Sequence, residues 1–187
     1  MPCSANRHNI VFIGGIHGAG KTQLSKQLSE ELKIPHYIAS DIIKKHLINP
    51  YSNDKKVFNL DLNQDALLVG INQEIPKDKL VLLDGHFVLF NVSGNIEKIS
   101  FDVFRSINPI CIVIVKENVS IIKDRIKNRD AIDYSYNQLE QMQSLEIHLA
   151  EDVAQELGCK YYVIESSYDS QSDIDSLIQV LSSLEIR

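Results

Sequence analysis

The stretch that decides the fold is Ile10-Val11-Phe12-Ile13-Gly14-Gly15-Ile16-His17-Gly18-Ala19-Gly20-Lys21-Thr22. An apolar run of strand length passes into a loop in which Gly15, Gly20, Lys21 and Thr22 have the spacing of a P-loop. Glycines let the backbone of such a loop turn its N–H groups toward phosphate oxygens, and the helix that follows adds its positive end. The stretch therefore predicts a site for ATP and Mg²⁺.

Each residue of this motif has an expected task. Lys21 is expected to reach the β- and γ-phosphates, and Thr22 to place its hydroxyl on Mg²⁺. His17 is expected to contribute its backbone rather than act as a base. The predicted nucleotide-binding residues are Gly15, His17, Gly18, Ala19, Gly20, Lys21, Thr22 and Gln23.

A second motif is the apolar run Leu80-Val81-Leu82-Leu83 that ends in Asp84, Gly85 and His86. A carboxylate at the end of a buried strand next to a P-loop is aimed at the water shell of the metal. We interpret Asp84 as a catalytic and metal-binding residue rather than a strand-end turn. His86 either contacts a phosphate or the acceptor, or is a structural histidine.

Arg125 and Arg129 are four residues apart and so share one helical face. The chain has five arginines, at 7, 105, 125, 129 and 187, so two in one helical turn are a concentration. Arginines that fold over a transferring phosphoryl group stabilise its charge. We interpret both as catalytic; the alternative is a solvated face, because charged residues surround them.

A fourth candidate is the segment just past the second predicted strand, which contains Asp41 and Lys44. Asp41 is either an N-terminal helix residue or an acceptor-binding residue able to act as a base on a hydroxyl group. Lys44 is a candidate for holding an acceptor phosphate.

Outside these motifs, apolar runs of strand length alternate with segments of helical period, which predicts an α/β fold with a parallel sheet. We predict a P-loop NTPase fold in which a five-stranded parallel sheet is flanked by helices, in a single domain over residues 1–187. Segment 87–101 is predicted to be a hairpin turning near Ser93-Gly94, which either flanks the acceptor pocket or only covers the sheet. The predicted strands are Ile10–Gly14, His36–Ala39, Leu80–Asp84, Ile110–Val115 and Tyr161–Ile164, and the predicted helices are Lys21–Leu32, Asp61–Ile75, Val119–Asn128, Tyr136–Leu157 and Asp173–Leu184.

The amino-acid composition disfavours nucleic acid and membranes as binding partners. The formal net charge is −6 and no Lys/Arg-rich tract is present, which disfavours a nucleic-acid footprint. No apolar stretch is long enough for a membrane helix, and the first residues are polar, so we expect a cytoplasmic location and no membrane partner. Three cysteines are too few and too widely spaced for a disulfide framework or a zinc site.

Taken together, these residues resemble the P-loop nucleoside and nucleotide monophosphate kinases, and most closely the archaeal type of adenylate kinase. The matching residues are the P-loop, Val81 to His86, Asn108-Pro109, Asn128-Arg129-Asp130 with Gln141 in the helix that follows, and Gly158-Cys159-Lys160. The resemblance implies that Lys21, Thr22, Asp84, Arg125 and Arg129 bind ATP-Mg²⁺ and clamp the phosphoryl group. Where adenylate kinases usually have an arginine soon after the second strand, this chain has Lys44.

The resulting hypothesis is a kinase that transfers the γ-phosphoryl group of ATP to a small acceptor, with a nucleoside monophosphate as the first candidate. A hydroxyl-bearing small molecule or nucleoside is the second candidate, with Asp41 or Asp84 as the base. A third is an ATP-hydrolysing regulatory module acting on a protein or RNA partner. The sequence leaves the oligomeric state open.

Overall fold

The computed structural model describes residues 8–47, 60–91, 93–166 and 171–184. These residues form seven strands and seven helices in the described part of the chain. The strands are β1 (Asn9–Gly14), β2 (His36–Ile38), β3 (Leu80–Asp84), β4 (Val88–Phe90), β5 (Ile96–Lys98), β6 (Cys111–Lys116) and β7 (Lys160–Glu165). The helices are α1 (Lys21–Leu32), α2 (Ala39–His46), α3 (Leu60–Glu74), α4 (Phe101–Ile107), α5 (Val119–Asp130), α6 (Tyr136–Leu157) and α7 (Gln171–Ser182).

The main sheet has five parallel strands in the order β2-β3-β1-β6-β7. The chain leaves β1 toward one edge of the sheet and later crosses to the other side of β1 for β6 and β7. The carboxyl end of β1 is therefore the point at which the strand order reverses, where open α/β sheets bind their ligands. The predicted fold class, a P-loop NTPase fold with a five-stranded parallel sheet and flanking helices, is confirmed.

The predicted strands are all present, with ends that differ by one residue in most cases. The central strands β1, β3 and β6 are almost wholly buried, as continuous apolar runs between two helical layers should be. At the sheet edge, β2 ends at Ile38 and α2 begins at Ala39. Asp41 therefore lies in the first turn of α2, where a carboxylate interacts favourably with the helix dipole.

Segment 87–101 contains the predicted hairpin, formed by the antiparallel pair β4 and β5. Its first residue, Phe87, is fully buried, and its ring lies 5.1 Å from that of Phe12 and 4.4 Å from that of Phe104. The hairpin is thus fixed to the core at its base. The helix α4, which carries Phe104 and begins at the cap Ser100, was not predicted, because its seven residues are too few for a clear period.

The longest helix, α6, begins with a capping box between Ser135 and Gln138 and ends at Gly158 in the left-handed conformation. Its buried face is apolar except at Glu146, whose side chain and backbone are fully buried. In the described ranges, none of the helices combines the length and apolar character needed to cross a bilayer.

The three packed rings give the first prediction. Replacing Phe104 with alanine should lower the free energy of unfolding by about 3 kcal/mol, because a large cavity forms beside Phe12 and Phe87. Chemical denaturation monitored by circular dichroism measures the change. Val69→Ala is the control, since Val69 is 46% exposed and its loss should cost less than about 0.5 kcal/mol. Equal effects of the two variants would contradict the assigned core.

Candidate active site

A cleft of about 440 Å³ opens at the carboxyl end of β1. That volume lies within the range of small-molecule sites. Most of the predicted site residues line it, together with two residues that were not predicted, Ile38 and Ser40. The lining residues are His17, Gly18, Gly20, Lys21, Thr22, Gln23, Ile38, Ser40, Asp84, His86, Arg125 and Arg129.

The P-loop depends on backbone conformations that side chains do not tolerate. Gly15 has φ +144°, and a Cβ there would lie 2.5 Å from the carbonyl oxygen of Val115. Gly20 has φ +103°, and its Cβ would meet the Ser166 hydroxyl at 2.4 Å. Only glycine allows the loop to pass this close to the ends of β6 and β7.

Lys21 is folded back over the loop. Its Nζ donates to the carbonyl of Gly15 at 2.7 Å and to that of Ile16 at 3.2 Å, and the residue is only 7% exposed. Burial lowers the pKa of Lys21, and the negative charges of Asp84 and Glu146 act against that shift. The two carboxylates therefore offset part of the cost of burying the ammonium group.

Asp84 and Thr22 meet across the cleft. The Thr22 hydroxyl donates to Asp84 Oδ2 at 3.0 Å, so a hydroxyl and a carboxylate oxygen stand together, the donor set that Mg²⁺ prefers. The two residues therefore fit a Mg²⁺ ion, and they would hold it while the ion neutralised phosphate charge. Burial raises the pKa of Asp84 despite the Lys21 charge and the Thr22 hydrogen bond.

Both predicted arginines reach the cleft from α5, and both have protein partners. Arg125 donates to the Gly18 carbonyl at 3.0 Å and to the buried Glu117 carboxylate at 3.1 Å. Arg129 forms two hydrogen bonds to the neighbouring Asp130, whose carboxylate raises the pKa of the guanidinium. Arg125 thereby links α5 to the P-loop, whereas the partner of Arg129 lies on α5 itself.

Two histidines stack at the mouth of the loop, with the rings of His17 and His86 5.7 Å apart. Burial, together with the charge of Arg129 for His17 and of Lys21 for His86, lowers the pKa of both rings. At neutral pH they therefore present neutral faces to the cleft. Nδ1 of His86 is buried and has no hydrogen-bond partner within the described structure.

The predicted acceptor residues on α2 point elsewhere. Lys44 Nζ pairs with Asp41 Oδ1 at 3.0 Å, and both side chains are more than half exposed. Neither residue lines the cleft; the neighbouring Ser40 and Ile38 do. Helical geometry explains the difference, because adjacent residues on a helix face directions about 100° apart.

Sequence reasoning missed a buried polar group behind the loop. Glu146 on α6 accepts the N–H of Gly15 at 2.7 Å, and those of Phe87 at 2.9 Å and Val88 at 2.8 Å. Burial raises the pKa of Glu146 to about 7. An acid at an otherwise apolar position of the α6 stripe was the available signal.

Gln143, three residues before Glu146, makes a similar attachment to the end of β6. Its side-chain amide accepts the N–H of Glu117 and donates to the Glu117 carbonyl, both at 3.0 Å. The helix α6 thus fastens the β6 end, the P-loop and the segment after β3 with two neighbouring side chains.

The geometry described so far places a P-loop beside a cleft at the carboxyl end of β1 in a parallel α/β sheet. In sequence, the family described as the AAA domain matches residues 14–143, and the chain belongs to that family. No curated protein matches the chain in sequence. The predicted P-loop character is thereby confirmed at the level of family and fold, whereas the archaeal adenylate kinase type finds no support in the matches.

Solved structures of kinases share the fold at low sequence identity. Shikimate kinase from Acinetobacter baumannii in complex with shikimate is 15% identical with a TM-score of 0.60, over 96% of each chain. A gluconokinase from Sinorhizobium meliloti 1021 is 13% identical with a TM-score of 0.52, over 94% of this chain and 91% of that one. Shikimate kinase from Bacteroides thetaiotaomicron is 14% identical with a TM-score of 0.51, over 92% and 96%. The chain therefore shares the fold of these solved structures over almost its whole length.

The loop geometry gives the second prediction. Gly15→Ala should weaken ATP-Mg²⁺ binding by at least about tenfold, because the added Cβ collides with the Val115 backbone and displaces the loop. Isothermal titration calorimetry measures the affinity. Gly94→Ala is the matched control, with φ +79° but no atom within 4 Å of the new Cβ. Normal affinity in Gly15→Ala would show that the loop does not bind the phosphates.

Proposed function

We propose that the protein is an ATP-dependent kinase that transfers the γ-phosphoryl group of ATP to a hydroxyl group of a small molecule that carries no phosphate. The observation that carries this proposal is the distribution of cations among the described cleft-lining residues. Lys21, Arg125 and Arg129 lie on the P-loop and α5, whereas the lining residues Ile38, Ser40 and His86, from β2, α2 and the segment after β3, add no further cation.

The nucleotide half of the proposal rests on the loop and its metal-binding pair. Lys21 is folded back onto the loop carbonyls, and Thr22 and Asp84 would supply oxygen ligands for Mg²⁺. Arg125 and Arg129 reach the same cleft from α5, where cations can stabilise the equatorial oxygens of a transferring phosphoryl group. The catalytic roles of these residues remain predictions, and their convergence in one cleft supports them.

The acceptor half rests on what faces that cluster. A phosphate on the acceptor requires cationic or N–H donors, and Lys44, the predicted donor, is occupied by Asp41 outside the cleft. Ser40 and the neutral His86 suit hydroxyl and carbonyl groups, and Ile38 suits a carbon skeleton. Among the solved structures of similar fold are a shikimate kinase in complex with shikimate and a gluconokinase, which agrees with this class of acceptor.

Transfer of the γ-phosphoryl group requires little covalent chemistry from the protein. Because the transition state is loose, positioning and charge neutralisation supply most of the rate. Asp84 is the carboxylate among the described cleft-lining residues, which makes it the candidate to receive the proton of the acceptor hydroxyl late in the reaction. Asp41, the alternative base, is not among the cleft-lining residues, and its side chain is 56% exposed, which favours Asp84.

A nucleoside monophosphate is the second candidate acceptor. The resemblance of Asp84-Gly85-His86 and Asn128-Arg129-Asp130 to archaeal adenylate kinases favours it. Segment 48–59, which contains Lys55 and Lys56, lies outside the described residues. The regulatory ATPase remains the alternative from a different class, and it would hydrolyse ATP without any small acceptor.

ADP formation from ATP-Mg²⁺ with panels of polyols, hydroxy acids, nucleosides and nucleoside monophosphates tests the proposal. We expect stimulation of at least about tenfold by one phosphate-free hydroxyl compound, with a phosphorylated product visible by mass spectrometry. Lys21→Ala should abolish that stimulation while the protein remains folded. Stimulation only by a nucleoside monophosphate would refute the acceptor class, and hydrolysis indifferent to every compound would favour the regulatory ATPase.

The role of Arg129 gives a separate prediction. Arg129→Ala should lower kcat by at least about tenfold with a smaller change in ATP affinity, because the guanidinium acts on charge that develops during transfer. Steady-state kinetics with both substrates separate the two effects. Arg105→Ala is the control, since that side chain pairs with Asp102 and Glu156 on the outer surface. Reduced stability with normal kinetics would make Arg129 a structural partner of Asp130.

A further inference from the structure

The buried carboxylate of Glu146 is not part of the cleft, yet it contacts two elements that form it. One oxygen, Oε1, accepts the N–H of Gly15 at the entrance of the P-loop. The other, Oε2, accepts the N–H groups of Phe87 and Val88, in the segment that leads from Asp84 to β4. The Phe87 N–H lies three residues after Asp84.

Gly15 is held at both of its polar groups. Its N–H is bound by Glu146 at 2.7 Å, and its carbonyl is bound by Lys21 at 2.7 Å. A rotation of Gly15 that released Glu146 would therefore also move the oxygen on which Lys21 rests.

We propose that Glu146 is a positioning residue whose carboxylate holds the P-loop entrance to the segment after β3, and so fixes the distance between Lys21 and Asp84 at which ATP-Mg²⁺ binds. This inference rests on the proposed use of ATP but not on the identity of the acceptor. The residues proposed to touch the nucleotide line the cleft, and Glu146 does not. It acts on them through the backbone of Gly15, Phe87 and Val88.

The number of backbone N–H donors around Glu146 requires a carboxylate at this position. Three N–H donors converge on two oxygens, and a carboxylate accepts with both. A glutamine offers one acceptor oxygen and turns an NH₂ group toward the remaining donors, so at least one buried N–H loses its partner. A protonated glutamic acid has a similar fault, because one oxygen then carries a hydrogen that faces an N–H group.

The surroundings of Glu146 decide how it responds to pH. Burial raises the pKa of Glu146 to about 7. The charge of Lys21 on α1 and the three N–H groups oppose this effect. His86 directly precedes Phe87, and His17 stacks on His86 from the P-loop. As the pH falls through about 7, Glu146 gains a proton and loses one acceptor, so ATP-Mg²⁺ binding should weaken on that side.

The test compares Glu146→Gln with Glu140→Gln, an exposed glutamate on the same helix. We expect Glu146→Gln to weaken ATP-Mg²⁺ binding by at least about tenfold at pH 8, and to lose the part of the pH dependence between 6 and 8 that wild type and Glu140→Gln share. Calorimetric titrations at several pH values measure both effects. A folded Glu146→Gln variant that binds within twofold of wild type, with an unchanged pH profile, would overturn the proposal.

A second measurement covers the case in which Glu146→Gln does not fold. In wild-type protein, the backbone amide resonances of Gly15, Phe87 and Val88 should shift together with one midpoint near pH 7, because one carboxylate accepts all three. Independent titration of these amides, or none between pH 5.5 and 8.5, would overturn the proposal. Both measurements require only ATP-Mg²⁺ or no ligand, so failure to find an acceptor leaves their outcome intact.

Discussion

The site depends on one constraint, the immobilisation of Gly15 between a buried carboxylate and a buried ammonium group. The strand β1 delivers Gly15 to the edge of the sheet, where φ +144° and the nearby Val115 carbonyl leave no space for a side chain. Glu146 and Lys21 then fix its N–H and its carbonyl. The course of the loop toward α1, and hence the place of Thr22 beside Asp84, follows from that fixed start.

A carboxylate in the position of Glu146 has a cost for folding. Its pKa is raised in the folded protein from an ordinary value of 4.5 to about 7, so the native state binds the proton more tightly than the unfolded chain. Between pH 4.5 and about 7 the free energy of unfolding falls as the pH rises. In that range the native state still holds a proton that the unfolded chain has lost, so unfolding releases a proton and is favoured by higher pH. At neutral pH the group is retained against this cost, and the three N–H groups that it satisfies explain why an apolar residue would not serve.

The sequence predicted the sheet and most helices because those elements are decided locally. Continuous apolar runs identify β1, β3 and β6 as strands buried on both faces, and the three- and four-residue spacing identifies α6 to the residue. The P-loop was recognisable because ligand geometry sets the spacing of its own residues, and Asp84 because it ends a continuous apolar run. Each of these signals is contained within a few consecutive residues.

The missed features depend on distant parts of the chain. Glu146 is 131 residues from Gly15 and 59 from Phe87, and its role appears only when α6 packs behind the loop. The placement of Asp41 and Lys44 outside the cleft depends on where α2 begins. It begins at Ala39, which was predicted to be the last residue of the strand. A shift of one residue along a helix turns a side chain by about 100°, so Ser40 rather than Asp41 faces the cleft.

The cations of the cleft already have oxygen partners before any phosphate is present. Lys21 is bound to two loop carbonyls, Arg125 to Gly18 and Glu117, and Arg129 to Asp130. An incoming phosphate must therefore exchange these partners rather than neutralise free charges, and the net gain is the difference between two sets of hydrogen bonds. The exchange is easiest where the existing partner is a neutral carbonyl, as for Lys21, and hardest where it is a buried carboxylate, as for Arg125. Lys21 should consequently exchange its partners most readily. Of the two arginines, Arg129, whose exposed partner is a neighbour in sequence, should do so more readily than Arg125, which also anchors the loop.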